Sequence, residues 1–402
     1  MPELPVGGAA VPARLLRRNG VYAAALLMDC ALGFATVGSG YLAGQYGAGP
    51  ARLGLLSLVS AGSYVVFCLV FGPCSDRWGR RRLVVLGAAL DAYALILVAG
   101  AGQFWEICVS MGLFSAGQGA FWPALEADIA DHSTPLELPR RLGRFNVAWC
   151  LGLVVGMPVA GAAGELIGQH WGLLIGSGLA LLALAVYLLR TFEPEGSPGP
   201  APDQAAERRA ASRAVPFWTI ALILNFAAMG LSSTLRGQMA AVTGSEKSAL
   251  GGLYGALFFG AQVVVFGALG LWRGWHYRAA PLVAGSALAV GGAVLCGWFQ
   301  APPVFAAGCA IGGIGCGVAY CSSIYYSVAA ASARGHRGGI HEAVLGAGGA
   351  VVPFAGGLLA AAPWLPKLVV WRPGVPFLLA GAVLAVGFLV AVPVYLRARK
   401  AA

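Results

Sequence analysis

The sequence predicts an all-α membrane protein of twelve transmembrane helices, arranged as two pseudo-symmetric six-helix bundles. Three observations predict it. The chain is 58% hydrophobic and only 10% charged, with a mean hydropathy of +0.77, too little polar surface to cover a soluble globule of 402 residues. Apolar runs long enough to cross about 30 Å of hydrocarbon as helix recur along the whole length. One long polar segment, residues 193–214, divides those runs six and six.

In order, the first six spans are expected at residues 20–45, 51–73, 83–101, 104–130, 143–168 and 170–190. Span 1 follows Arg14, Arg17 and Arg18, with no small-residue cleavage site after a short apolar core, so it is expected to stay in the mature protein. Spans 2 and 3 flank the charged stretch FGPCSDRWGRRRLVVLG at 71–87. Span 4 contains SAGQGAFWP and ends with Glu126 and Asp128, and span 5 contains GLVVGMPVAG. The second six are expected at 216–238, 248–271, 279–299, 303–330, 340–361 and 374–396. All are continuous runs, whereas strands of a membrane β-barrel alternate in polarity and need only about 10 residues. The 60 glycines fit helix contacts, because small residues let membrane helices approach closely.

The segment EPEGSPGPAPDQAAERRAASRA, 193–214, reads as a linker between halves 1–192 and 215–402. A shift of 198 residues sets Gly54, Gly62 and Gly72 over Gly252, Gly260 and Gly270, and Gly117, Gly119 and Trp122 over Gly315, Gly317 and Tyr320. After a three-residue length change, Pro158 and Gly161 align with Pro353 and Gly356. In order, these matches indicate duplication, and parallel repeats around a midplane site are one architecture of secondary transporters.

Charge placement excludes a nucleic-acid reading of the net +10. With the N-terminus cytoplasmic, 21 of the 26 Lys and Arg fall on one side, and only Arg52, Arg236, Lys247, Lys367 and Arg372 on the other. That bias places both termini in the cytoplasm of an inner-membrane protein. Nine cysteines show no CxxC pair and no histidine-spaced cluster, so they read as small buried hydrophobes and no metal or other cofactor is expected. Trp364 and Trp371, flanking the last outer loop, read as interface-belt residues.

Residues 72–82, GPCSDRWGRRR, resemble the signature G-x-x-x-D-R-x-G-R-R between helices 2 and 3 of the major facilitator superfamily. Gly72, Asp76, Arg77, Gly79, Arg80 and Arg81 match. The counterpart GLWRGWHYRAA, 270–280, is degenerate, with Gly274 in place of Asp76. Asp29 resembles the helix-1 acid of proton-driven exporters. SAGQGAFWP is similar to the family's R-x-x-Q-G-x-G stretch with Ser115 in place of the arginine, and GLVVGMPVAG is similar to G-x-x-x-G-P-x-x-G-G with Met157 inserted before Pro158. The resemblance implies a gate in which Asp76 braces the halves near the start of helix 11 and Arg80 reaches Asp128.

Each charge has a bland reading beside the functional one. Asp29, near mid-membrane, is either a proton carrier or a neutral acid hydrogen-bonded within the bundle. Glu126 either lines the cavity, as a second proton-coupling acid, or pairs with loop arginines. His341 and Glu342 form a pH-sensitive pair, or Glu342 only complements a helix dipole. Arg236 attracts an anion or snorkels. Asp91 has no evident partner, and Glu106 and Glu165 read as solvated. Tyr22, Tyr64, Gln118, Trp122, Asn225, Tyr254, Gln262, Tyr320 and Tyr325 are expected at the cavity together with Arg236. The chain is thus expected to be a monomeric, proton-coupled exporter of an amphipathic neutral or cationic compound, with the lipid bilayer, that compound and protons as its partners. The alternatives are uptake or exchange of a sugar, organic acid or lipid-like molecule, and a non-transporting sensor or assembly protein. No nucleophile–base pair or phosphate loop points to an enzyme.

Overall fold

In the computed structural model, residues 10–133, 137–189, 204–328, 334–363 and 371–401 are described. Among them run twelve long helices. The first six are α1 (Ala10–Gln45), α2 (Pro50–Trp78), α3 (Arg80–Ala99), α4 (Phe104–Asp131), α5 (Leu138–Leu166) and α6 (Gln169–Leu188). The second six are α7 (Gln204–Thr243), α8 (Ser248–Leu271), α9 (Ala279–Trp298), α10 (Pro302–Val328), α11 (Arg334–Ala361) and α12 (Val375–Ala401). Eleven are long and apolar enough to cross a membrane. The twelfth, α4, is long enough but carries Ser110, Ser115, Gln118, Glu126 and Asp128. From Phe114 to Ala130 every α4 residue is buried, so the bundle rather than lipid surrounds its polar groups.

The helices outlast the apolar spans. α2 and α3 are separated only by Gly79, at φ +91°, so the expected loop at 71–87 is a one-residue turn. Only that residue must take a left-handed backbone, which glycine does without a Cβ clash. The expected linker is shortened too: QAAERRAASRA opens α7 at Gln204, because Ala, Arg and Glu favour helix where Pro and Gly do not. Its first part, and Trp364, lie outside the described residues.

Successive helices alternate in direction, so the α2–α3 and α8–α9 turns, the last residues of α4 and α10 and the first residues of α5 and α11 share one face; Arg77, Arg80, Arg81, Arg140, Arg141 and Arg144 stand there, and we call it the basic side. Gly47, Gly168 and Gly244, all at positive φ, make turns on the far side. Trp105, Trp171 and Trp298 stand largely exposed at far-side helix ends, and Trp78 and Trp272 do so on the basic side. Exposed tryptophans at span ends are what interfacial belts require. Trp371, half-buried, packs on Phe305, ring centroids 6.0 Å apart.

Contacts between the halves repeat the sequence shift. α2 packs on α11 and α5 on α8. A methyl built on Gly339 of α11 would lie 3.2 Å from Gly72 Cα of α2; one built on Gly143 of α5 would lie 2.8 Å from Gly270 Cα of α8. Gly72 and Gly270 are partners under the shift of 198, so the duplication is built into the interface.

Candidate functional site

Between the halves lies a central cavity of about 190 Å³, room for on the order of ten waters. Its wall includes Asp29 of α1, Tyr64 of α2, Gln118 and Trp122 of α4, Arg236 of α7, Gln262 of α8, Tyr320 of α10 and Glu342 of α11. Apolar side chains such as Leu53, Met111, Phe114 and Phe259 complete it. Mixed walls of this kind suit an amphipathic molecule.

Asp29 is buried, and its Oδ1 has no hydrogen-bond partner. The charges acting on it are those of Arg236 and Glu342. Arg236 does not snorkel to the interface: it lines the same cavity, its guanidinium 6.0 Å from the Phe259 ring and its Nη2 donating to Ser233 at 3.2 Å. Its Nε is buried without a partner. The cavity therefore presents an acid and a base together.

α5 holds Asp29 in place. Gly152 and Gly156 face α1 so closely that a methyl on Gly156 would lie 2.8 Å from Cys30 Cα, and one on Gly152 would lie 3.0 Å from Asp29 Cβ. Met157, the departure from the family run, turns the other way, toward Gly252 and Gly255 of α8. One helix thus packs closely on both neighbours.

Of the other residues expected at the cavity, four stand elsewhere. Tyr22 lies two turns toward the basic side of Asp29, about 10 Å at 1.5 Å per residue, and packs on the core. Asn225 is on the Arg236 face of α7 but three turns deeper, about 16 Å, buried with both amide atoms unpartnered. Tyr254 meets Phe305, 4.7 Å between centroids, and Tyr325 stacks on His276 at 4.3 Å. Neither lines the cavity: Tyr325 lies five residues past Tyr320, about 140° round a 3.6-residue repeat, and Tyr254 turns to Phe305 within the second half. Ser60, Ser232, Ser233 and Trp149 join the wall without having been singled out from the sequence, as does Ser115, noted there only as standing in place of the family's arginine; a serine in a membrane helix carries no periodic signal of its own.

Asp91 has a partner. Gln118 donates to its Oδ2 and accepts from Trp122 Nε1 at 2.6 Å. A buried acid on α3 therefore orients two residues of the cavity wall. Glu106 and Glu165 are exposed, as expected, and there also accept backbone N–H groups, of Gly102 at 2.7 Å and Ala249 at 2.8 Å.

At the basic end of the cavity, Glu126 of α4 meets His341 and Glu342 of α11, one ligand atom of each lying within 4.8 Å of the others. All three are buried. Glu126 thus pairs with no loop arginine among the described residues; the charge acting on it is Glu342. Tyr64 donates to Glu342 Oε2, Ser323 Oγ lies 2.8 Å from His341 Nδ1, and His341 Nε2 lies 3.4 Å from Glu342 Oε1.

The 72–82 motif sits below. Arg80 bonds Asp76 at 2.6 Å, Ser75 at 2.7 Å and Asp131 of α4 at 3.1 Å, one turn beyond the expected Asp128. Asp128 lies buried 3.3 Å from His132 Nδ1. α11 meets the motif at Gly72, while Arg77 and Arg81 are exposed.

A family model described as Major Facilitator Superfamily matches residues 21–338. Protein spinster homolog 1 of Xenopus laevis is 29% identical over 147 residues, 35% of this chain and 27% of that protein. Tetracycline resistance protein, class B, of Escherichia coli is 31% identical over 144 residues, 35% of this chain and 34% of that protein. The chain thus spans about a third or less of the curated relatives' length. The crystal structure of a bacterial homolog to the human lysosomal transporter Spinster, in its inward-facing and unoccupied conformation, has a TM-score of 0.64 to this fold at 16% identity, covering 96% of this chain and 97% of that one. That likeness shows the twelve-helix fold, and the family match runs through both its halves. The chain belongs to the Major Facilitator Superfamily.

Proposed function

We propose that the chain is a secondary active transporter that moves a small molecule by rocker-switch alternating access, with proton-coupled export of an amphipathic neutral or cationic compound as its activity. The observation that carries this reading is Asp29, buried in the cavity wall with one carboxyl oxygen unpartnered. A buried acid is costly in a membrane, at least about 2.5 kcal/mol on insertion scales, and such groups mark ion and substrate paths. Glu126 extends the proton path toward the basic side. A relative named for tetracycline resistance supports export.

The moving bodies are residues 1–192 and 215–402, joined by 193–214. The basic side faces the cytoplasm by its arginine excess, and the monomer suffices because the cavity lies within one chain. Asp76, Arg77, Gly79, Arg80 and Arg81 form the gate's hinge region, with Arg80 tying α2 and α3 to α4 through Asp131. The reading assigns no chemical reaction to the protein.

A second reading is favoured by Arg236. A guanidinium in the wall recognises carboxylate or phosphate, so a cargo with an acidic group, an organic acid or lipid-like molecule, also fits. Purified protein in proteoliposomes with an imposed pH gradient tests both readings with panels of cationic and acidic amphipaths. Gradient-driven movement that reverses with the gradient is expected. Ligand binding without movement of any compound would instead support the sensor or assembly reading.

A further inference from the structure

We propose that Glu126, His341 and Glu342 form a binding site for one divalent transition-metal ion such as Zn²⁺ at the basic end of the cavity. The site joins α4 of the first half to α11 of the second.

The donor set fits such an ion. Two carboxylates and one imidazole suit Zn²⁺ better than Ca²⁺ or Mg²⁺, which take oxygen alone. The three ligand atoms lie within 4.8 Å of one another, so small side-chain rotations bring them to the roughly 2.0–2.2 Å that zinc requires. Two of them are held as metal ligands are. Ser323 fixes His341 through Nδ1, leaving Nε2 as the ligand nitrogen, and the Tyr64 hydroxyl fixes Glu342 through Oε2. Second partners of that kind orient metal ligands and sharpen their affinity.

Independent evidence comes from unpartnered atoms. His341 Nε2 and both Glu126 carboxyl oxygens are buried without a hydrogen bond, on residues 0% and 1% exposed; His341 Nε2 faces Glu342 Oε1 at 3.4 Å, and one ligand atom of Glu126 lies within 4.8 Å of those of its two partners. Asp29 has Arg236 across the cavity, but among the described residues no lysine or arginine pairs with either glutamate, and the one basic group within 4 Å of Glu342 is His341 of the cluster itself. A divalent cation balances two carboxylates. Glu342 also lines the cavity, which gives an ion its way in.

An ion held there ties α4 to α11, where a methyl on Gly338 would sit 3.5 Å from Glu126 Oε2. This consequence rests on the rocking reading, because the ion must leave before the basic side can open. Binding itself does not rest on it.

The test uses purified full-length protein, stripped with chelator and titrated with Zn²⁺ at neutral pH. One Zn²⁺ per chain is expected, weakened at least about tenfold by Glu126→Gln and by His341→Gln and unchanged by His336→Gln, an exposed histidine on the same side. Binding should weaken as pH falls, since protons compete for the same atoms. Should either variant fail to fold, Tyr64→Phe decides: it keeps all three ligands, removes only the hydroxyl on Glu342, and is expected to lower affinity about tenfold. Absence of stoichiometric binding by wild type, or binding that survives the substitutions at Glu126, His341 and Tyr64, overturns the site. Because binding is read without transport, its failure leaves the transport reading standing, and the converse holds.

Discussion

Asp29→Asn is expected to abolish gradient-driven transport while leaving the fold and cargo-for-cargo exchange in place. The amide matches the carboxyl in size and hydrogen-bonding reach but cannot take up and release a proton. Asp29 lines a cavity with room for water, so the variant's Arg236, left without its opposing charge, can be solvated there. For an exporter, an outside-acid gradient drives cargo outward in the wild type. The variant should lose at least about tenfold in that driven rate, on the order of 1.4 kcal/mol at the barrier, and should show no dependence on the gradient. Exchange at equal pH should continue, because it needs the cavity and the rocking motion without net proton movement. A variant that still follows the gradient would remove Asp29 from the coupling path.

The second large effect is steric. Gly156→Leu is expected to leave no folded protein, and Gly156→Ala to lower thermal stability measurably. A first side-chain carbon at Gly156 meets the main chain of α1, with Cys30 Cα at 2.8 Å, and a helix backbone cannot step aside as a side chain can. Even a modest overfill of a packed core costs about 1–3 kcal/mol, against a total stability of roughly 5–15 kcal/mol. Gly178→Leu is the control, since a side chain there meets nothing within 4 Å. Thermal unfolding in detergent reads both. If Gly156→Leu were as stable as Gly178→Leu, the glycine run of α5 would not be a packing device, and Asp29 would not owe its position to it.

The same glycines show what a sequence of this kind makes legible. Length and hydropathy fix the helices because a span must exceed the bilayer, and α8, expected at 248–271, runs from Ser248 to Leu271. Charges were placed less well. The stretch around Gly79 looked like a loop because it is polar, yet polarity ends a membrane span without ending a helix. Asp91 showed no partner because Gln118 belongs to another helix. The meeting of Tyr64 with Glu342 joins residues 278 apart, which no local period reveals. Which tyrosines line the cavity depended on depth as much as on face, as Tyr22 and Tyr64 show: both are aromatic and both sit on first-half helices, but only Tyr64 is level with Asp29. The repeat supplied the most transferable information, since Gly72 and Gly270, matched by a fixed shift, prove to be equivalent contact points.

The central claim is that the halves rock about the Asp29–Arg236 cavity, closing one side as the other opens. It is tested most directly by distances between spin labels at two exposed pairs. Arg144 with Leu271 reports the basic side, and Gln45 with Glu246 the far side. With cargo and pH varied, the account predicts that one distance lengthens as the other shortens, and that Asp29→Asn removes the pH response of both. Distances that stay fixed in both pairs under every cargo and pH, in protein shown to bind cargo, would contradict alternating access.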